Sequence, residues 1–474
     1  MSRNVRSVHR SSRTSHHSSS LPHFLLAIPL VLLPILLGGA RIWFQAWVMA
    51  LFCLGCMVWV WTGSKEGMRL PSGWVVAALG ILACVPIIQA LPVPMSVLEV
   101  ISPERQVWLQ RVVDILDVRP YWTSLSYAPV LTGFGLLWWV FCAVVVWMGM
   151  RQLKVPERSG WFFGLLLILA MLQASYGLFQ VFVPQAGVLW AEYSGAEGCA
   201  RGTFVNRNHY ACFLNMLWPV LLAWVISLDQ MLPRPHGMTR REHQEQVWHK
   251  KFLFGFLVGL VILALFFSRS RGGILAALVG LTVFLLLNRS KRAEMVIMVC
   301  AAWAVMFAYG WVIGFDEILA RFDRIGSDTG RLILWEDVWH MITDHSWLGV
   351  GVNGFETIGR VYNTSLPESK FYYHAHNDYL QLMAEVGLPL ALALILSAWT
   401  LWLVMARRVR RKAKDAQGPE ALLAAGALAG CAAFLVHSVV EFNWQIPANQ
   451  LYFLLMMGLA WVWSSEERGR RTDD

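Results

Sequence analysis

Apolar residues fall along this chain in runs of roughly 20, the length an α-helix needs to cross a bilayer core, and polar residues collect between them. Twelve such runs are expected to be membrane helices, at about 22–40, 43–62, 72–91, 128–149, 161–183, 209–229, 252–267, 273–288, 293–314, 387–406, 421–440 and 448–464. The seventh and eighth are short and separated only by Ser268-Arg269-Ser270-Arg271-Gly272, as in a tilted hairpin. One long polar stretch interrupts the pattern, from Phe315 to Glu385. The chain therefore divides into a disordered tail over 1–20, nine helices with short loops over 21–314, a large loop over 315–386, three helices over 387–464 and a tail over 465–474. The expected fold is an all-α polytopic membrane protein with about 12 transmembrane helices.

Composition agrees with the pattern. Hydrophobic residues make up 57% and charged residues 15%, well under the roughly 25% charge of soluble domains, and the mean hydropathy is +0.51. The net charge of +9 reads as topology, not as a nucleic-acid footprint. With the N-terminus inside, Lys and Arg favour the inner segments by roughly two to one, which places both termini in the cytoplasm and the long loop outside. No small-residue cleavage site follows the first apolar run, so it reads as a retained helix. Seven of the 8 cysteines lie within or at the edges of apolar runs. Cys53-Leu-Gly-Cys56 has redox spacing but reads as packing inside a helix, and Cys199 stands alone in an external loop, so no disulfide framework is implied.

Segment 104–118 carries Val107, Trp108, Val112, Ile115 and Leu116 at helical spacing. It fits an amphipathic helix on the outer interface or a surface helix packed on neighbouring loops. Gly255-xxx-Gly259 and Gly426-xxx-Gly430 read as helix-packing faces.

Four outer patches carry candidate chemistry: Cys199–Tyr210 with Arg201, Arg207 and His209; Ser268–Gly273 with Arg269 and Arg271; Gly330-Arg331 with Trp335; and His374-Ala-His376-Asn377-Asp378-Tyr379. The planar guanidinium offers bidentate donors that stay charged, so Arg201, Arg207, Arg269, Arg271 and Arg331 together fit capture of a lipid diphosphate. Helix-end caps or contacts to anionic lipid are the plainer alternatives. His376 is the candidate general base, since a neutral imidazole accepts a proton near neutral pH, with Asn377 and Asp378 placed to orient it. His374, His376 and Asp378 would share one face of a strand and admit a metal reading, but no external Cys or Glu cluster adds a further ligand. No phosphate loop, nucleophile elbow or His-Glu-x-x-His motif occurs.

These residues resemble the O-antigen ligase and polymerase superfamily, which includes bacterial protein O-oligosaccharyltransferases. The resemblance rests on Gly330-Arg331 with Trp335, the turn Gly349–Phe355, His376-Asn377-x-Tyr379-Leu380, Gly202–His209 and Ser270–Gly273, over roughly residues 195–405. Ligases of this family carry a His-Asn, nine residues, Gly pattern, matched here by His376-Asn377 and Gly387; its closing position, often Gly, Thr or Tyr, is Leu390. The resemblance implies a helical C-type glycosyltransferase fold in the bacterial inner membrane, with the active site facing the periplasm. The donor would be a glycan on undecaprenyl diphosphate and the acceptor lipid A core, another glycan or a protein hydroxyl, with no cofactor or metal and no nucleic-acid partner. Arg207, Arg271 and Arg331, with Arg201 and Arg269, would hold the diphosphate, and His376 would deprotonate the acceptor, supported by Asn377, Asp378, Tyr379, His209 and His374. Single displacement with inversion follows. A polymerase of the same superfamily is the nearest alternative, and a polysaccharide transporter or flippase the alternative from another class.

Overall fold

The computed structural model describes residues 21–61, 73–117, 121–183, 185–189, 198–288, 304, 328–364, 372–415 and 418–465. Apolar runs become helices because a chain in lipid must satisfy every backbone group within itself. In chain order these are α1 (Leu21–Ile35), α2 (Ile42–Trp61), α3 (Gly73–Ala90), α4 (Met95–Ile101), α5 (Pro103–Leu116), α6 (Pro129–Gln152), α7 (Gly160–Phe182), α8 (Arg207–Ile226) and α9 (Leu228–Met231). There follow α10 (Arg240–Phe267), α11 (Arg271–Leu287), α12 (Asp328–Asp344), α13 (Phe355–Tyr362), α14 (Asp378–Val386), α15 (Leu388–Asp415), α16 (Glu420–His437) and α17 (Pro447–Ser464). The sheet among the described residues is one antiparallel pair, β1 (Pro92–Pro94) on β2 (Trp122–Ser124), with Val93 opposite Thr123.

Eleven of the twelve expected runs are helices here, and the run at 293–314 lies, apart from residue 304, outside the described residues. Seven of the helices are long and apolar enough to cross a membrane, and α1 and α11 are shorter apolar helices. The protein is thus an all-α polytopic membrane protein. One boundary differs clearly: α10 begins at Arg240, twelve residues before its apolar run. The charged extension is started by a capping box in which the Thr239 hydroxyl accepts from the Glu242 amide and the Glu242 carboxylate accepts from the Thr239 amide.

Helices α8, α11, α16 and α17 pack most extensively on one another. The apolar windows of α8 and α16 are 89% and 83% buried by protein, against 17% for α2 and 11% for α15, so α8 and α16 form the centre and α2 and α15 the lipid-facing rim. The α8–α16 contact is close because α16 is rich in small residues. A Cβ on Gly426 would lie 2.7 Å from the Pro219 carbonyl, and one on Gly430 would lie 2.9 Å from the Met216 carbonyl. Gly426-xxx-Gly430 is therefore a packing face. The other pair is not: Gly259 faces open space and Gly255 only reaches Val225, because α10 turns Val258, Val261, Ala264 and Leu265 inward instead.

The described residues of the polar stretch fold as a small body of α12, α13 and α14 around Val338, Ile342, Val350, Phe355 and Ala384. It is tied to one end of the bundle through Gln89 at the end of α3. The Gln89 side-chain amide donates to the carbonyls of Leu348 (2.7 Å) and Glu385 (2.9 Å) and accepts from the Val352 amide (3.1 Å). Thr132 adds a bond to the Val352 carbonyl. Helix α5 has no fully buried residue and leaves Ile115 and Leu116 exposed, while Trp108 packs against the small body, so it shares both expected characters.

Replacing Gly430 with Leu forces α8 and α16 apart and should destabilise the protein by about 1–3 kcal/mol. Gly259→Leu should change thermal stability by no more than about 0.5 kcal/mol. Unfolding of the detergent-solubilised protein followed by tryptophan fluorescence compares the two.

Candidate functional site

The segment 372–377 enters the site as an irregular, bending stretch held on both sides. The Ala375 amide donates to Gln381 Oε1 (3.2 Å) and its carbonyl accepts from Trp335 Nε1 (3.0 Å). The next residue, His376, sits in the left-handed region at φ +48°, a conformation that costs a side-chain-bearing residue of order 1 kcal/mol and persists where its neighbours are fixed. Asn377 then starts α14: its side-chain oxygen accepts from the amides of Tyr379 (3.0 Å) and Leu380 (3.1 Å). Gly387 ends α14 at φ +84°, where a Cβ would strike the Trp347 carbonyl. The nine residues between Asn377 and Gly387 are thus the nine residues of α14, bounded by a side-chain cap and a positive-φ stop.

The residue that gathers the site is Glu441, between α16 and α17. Its side chain is 2% exposed. Oε1 accepts from Arg331 at 2.7 Å and from Asn208 Nδ2 at 2.5 Å, and Oε2 lies 3.3 Å from His376 Nδ1. Burial works to raise the Glu441 pKa, but the hydrogen bond to His376 and the positive charges of His209, His376 and Arg331 outweigh it and hold the carboxyl down at about 2. Arg331 is the permanent charge among these. With Nδ1 turned to a carboxylate, the proton of the neutral imidazole belongs on Nδ1 and the lone pair on Nε2, which accepts no hydrogen bond among the described residues.

The Phe442 ring organises three histidines. His374 stacks on it at 4.4 Å, and His209 and His376 meet it edge-on at 4.4 and 4.7 Å. His209 Nδ1 is 3.1 Å from Asn443 Oδ1. His374 is pushed down to about 3, by burial first and then by the neighbouring His209 and His376, so it stays neutral, with Nδ1 3.3 Å from the Gln381 amide.

The arginines reach this place from three helix starts. Arg207 is the first residue of α8 and Arg271 the first of α11, capped by Asn206 and Ser270, and Arg331 lies in the first turn of α12. Asn208, next to Arg207, is bonded to Glu441, and a Cβ on Gly272, next to Arg271, would touch the His437 ring at 3.0 Å, so both starts abut the connection that carries Glu441. A cation at a helix N-terminus is disfavoured by the helix dipole. Three of them at helix starts beside the connection that carries Glu441 make a concentration of positive charge suited to a polyanion. The guanidiniums of Arg207, Arg269 and Arg271 make no ion pair or hydrogen bond among the described residues. Arg269 sits at φ +53° in the turn between α10 and α11. Arg201 belongs to the segment packed on α7, where its amide donates to Gln180 Oε1 (3.0 Å).

Asn377 and Asp378 do not orient His376. Asn377 is occupied as the cap, and Asp378 is buried with Oδ2 accepting from the Trp444 amide (2.9 Å); Glu441 holds the imidazole instead. Tyr379 donates to the Leu435 carbonyl (2.8 Å) and so ties α14 to α16. His374, His376 and Asp378 point to three different partners, and no group of His, Cys, Asp or Glu among the described residues is placed to hold a metal ion. Sequence reasoning missed Glu441, although a signal was present: it is the sole Asp, Glu, Lys or Arg between Glu420 and Glu466, and a lone carboxylate in so apolar a region points to function.

A membrane helix bundle thus holds a histidine, a buried carboxylate and several arginines at one end. Residues 256–395 match the family profile described as O-Antigen ligase, a span that includes Arg269, Arg271, Arg331 and His376 and omits Arg207 and Glu441. The chain is also 29% identical over 161 residues to the Exopolysaccharide production protein ExoQ of Rhizobium meliloti (strain 1021), covering 33% of this chain and 34% of that protein. Together these findings support membership of the O-antigen ligase/polymerase superfamily.

Burial pushes the Asp378 pKa up to about 8, against the opposing Trp444 amide bond. An unfolded Asp titrates near 3.9, so between about pH 4 and 8 the folded protein holds a proton that the unfolded chain releases, and stability falls as pH rises. Asp378→Asn should remove that loss, so its stability relative to the wild type should grow from pH 5 to pH 8 in thermal unfolding. Gly387→Ala should destabilise by about 1–3 kcal/mol in the same measurement, since it adds a Cβ at a positive φ.

Proposed function

We propose that this protein transfers a glycan from undecaprenyl diphosphate to an acceptor hydroxyl at the periplasmic face of the bacterial inner membrane, by single displacement with inversion and without a metal. The observation that carries the reading is the meeting of His376 with Arg331 on Glu441, beside the unpaired Arg207 and Arg271. A histidine beside a cluster of arginines supports the reading, because displacement of a diphosphate requires a base and cations.

The acceptor O–H gives its proton to His376 Nε2 while its oxygen bonds to the anomeric carbon. The bond from that carbon to the phosphate oxygen breaks, and the electron pair leaves on the lipid diphosphate. Arg207, Arg271 and Arg331, with Arg269 and Arg201 nearby, stabilise the charge that gathers there, which is the largest contribution a protein makes to such a step. Glu441 holds the imidazole through Nδ1, as a carboxylate does behind a catalytic histidine elsewhere. His374, fixed neutral, adds no competing charge.

The relative of Rhizobium meliloti is named for exopolysaccharide production and the family profile for O-antigen ligation, so a growing glycan and lipid A core both stand as acceptors. A lipid-linked donor and a membrane-anchored acceptor belong to either version.

Proteoliposomes with lipid-linked glycan donor and candidate acceptors, in the presence of EDTA, test the reading. Wild-type protein should form product. His376→Ala should lose about 10²–10⁴-fold in rate and Arg331→Ala about 10²–10³-fold, with both variants still folded. Full activity in His376→Ala removes the base, loss with EDTA calls for a metal, and donor crossing the bilayer without transfer makes the protein a transporter.

A further inference from the structure

Glu441 is asked to serve two partners at once. Its Oε1 meets Arg331 at 2.7 Å, within the range of a charge-assisted hydrogen bond, whereas Oε2 is 3.3 Å from His376 Nδ1, outside it. In this arrangement the carboxylate is committed to the arginine and only loosely to the imidazole. The two partners also differ in freedom. The Arg331 side chain is 33% exposed and the Glu441 side chain 2%, so the guanidinium can turn toward an incoming anion while the carboxylate stays buried.

We propose that Glu441 couples donor occupancy to the base: a diphosphate arriving at Arg331 draws the guanidinium off the carboxylate, and Glu441 then closes on His376. The proposal rests on the reading of the arginines as diphosphate ligands. A diphosphate carries more charge than one carboxylate and offers several acceptor oxygens to a bidentate donor. The neighbouring Arg207 and Arg271, unpaired among the described residues, draw it to the same place. Relieved of Arg331, the Glu441 carboxylate keeps Asn208 and gains negative potential toward the His376 Nδ1–H, which strengthens that hydrogen bond and makes Nε2 a better proton acceptor.

The other groups around His376 have fixed partners and do not share in the exchange. His374 is bonded to Gln381, His209 to Asn443 and Asp378 to the Trp444 amide, and Phe442 packs between the rings. The imidazole itself is held by its backbone, between the doubly bonded Ala375 and the Asn377 cap. The movements required are therefore a turn of the Arg331 guanidinium and a shortening of the carboxylate–imidazole contact. Glu441 is a positioning residue in this scheme. It touches neither donor nor acceptor, and it makes the base effective only when a leaving group is in place.

The test is NMR of the full-length protein in nanodiscs with 15N-labelled histidine, the His376 signal being assigned by its loss in His376→Gln. Farnesyl diphosphate, a lipid diphosphate without a glycan, is the probe, and its binding is measured separately. In wild-type protein the His376 Nδ1–H proton should move downfield on binding. In Glu441→Gln it should not move. In Arg331→Gln, which stands in if Glu441→Gln does not fold, it should already lie downfield before the probe is added. A bound probe with no movement in the wild type, or an equal movement in Glu441→Gln, overturns the coupling and leaves the diphosphate reading intact. Failure of farnesyl diphosphate to bind the wild type overturns both.

Discussion

A carboxylate removed from water must be paired, because an isolated buried charge costs far more than the fold has to spare. Glu441 meets that condition with Arg331, Asn208 and His376, and the geometry of the site follows from it. Those three partners come from α12, from the start of α8 and from the stretch before α14, segments far apart in the chain. One buried oxygen pair thus fixes the small polar body against the bundle at the place where the arginines gather. Gln89 does the same work from the end of α3, with three hydrogen bonds to the backbone of that body.

The second constraint is local. Asn377 and Gly387 set the two ends of α14, so the orientation of His376 is decided by the backbone on either side of it. The strained φ of His376 is held by the bonds of Ala375 and by the helix cap. An imidazole so mounted keeps one nitrogen on Glu441 and leaves the other available. Its chemistry then depends on what else the carboxylate must hold.

Much of the fold was legible because lipid imposes a simple rule: a spanning segment must be apolar and helical, and run length alone found eleven helices within the described residues. The capped extension of α10 was legible too, in Thr239-x-x-Glu242, but an apolar scan ends at the first charges. The glycine pairs show where pattern stops being enough. Gly426-xxx-Gly430 and Gly255-xxx-Gly259 have the same spacing, yet only the former packs closely on another helix, since packing depends on how α10 is turned by Val258 and Val261. At the site, His376 and Arg331 stood out by residue type. The role of Asn377 as a cap could be read from its place before α14, whereas the Glu441 contacts could not, because they join residues 65, 110 and 233 positions apart.

The most direct measurement is a double-mutant cycle on the stability of the ligand-free protein, with Arg331→Gln, Glu441→Gln and both together. If Glu441 is the buried charge that Arg331 neutralises, removing the arginine alone strands it, and the double variant should be more stable than the sum of the two losses by roughly 1–3 kcal/mol. Additive losses would mean that the two side chains do not act on each other, and the site would lack the shared carboxylate on which this account is built.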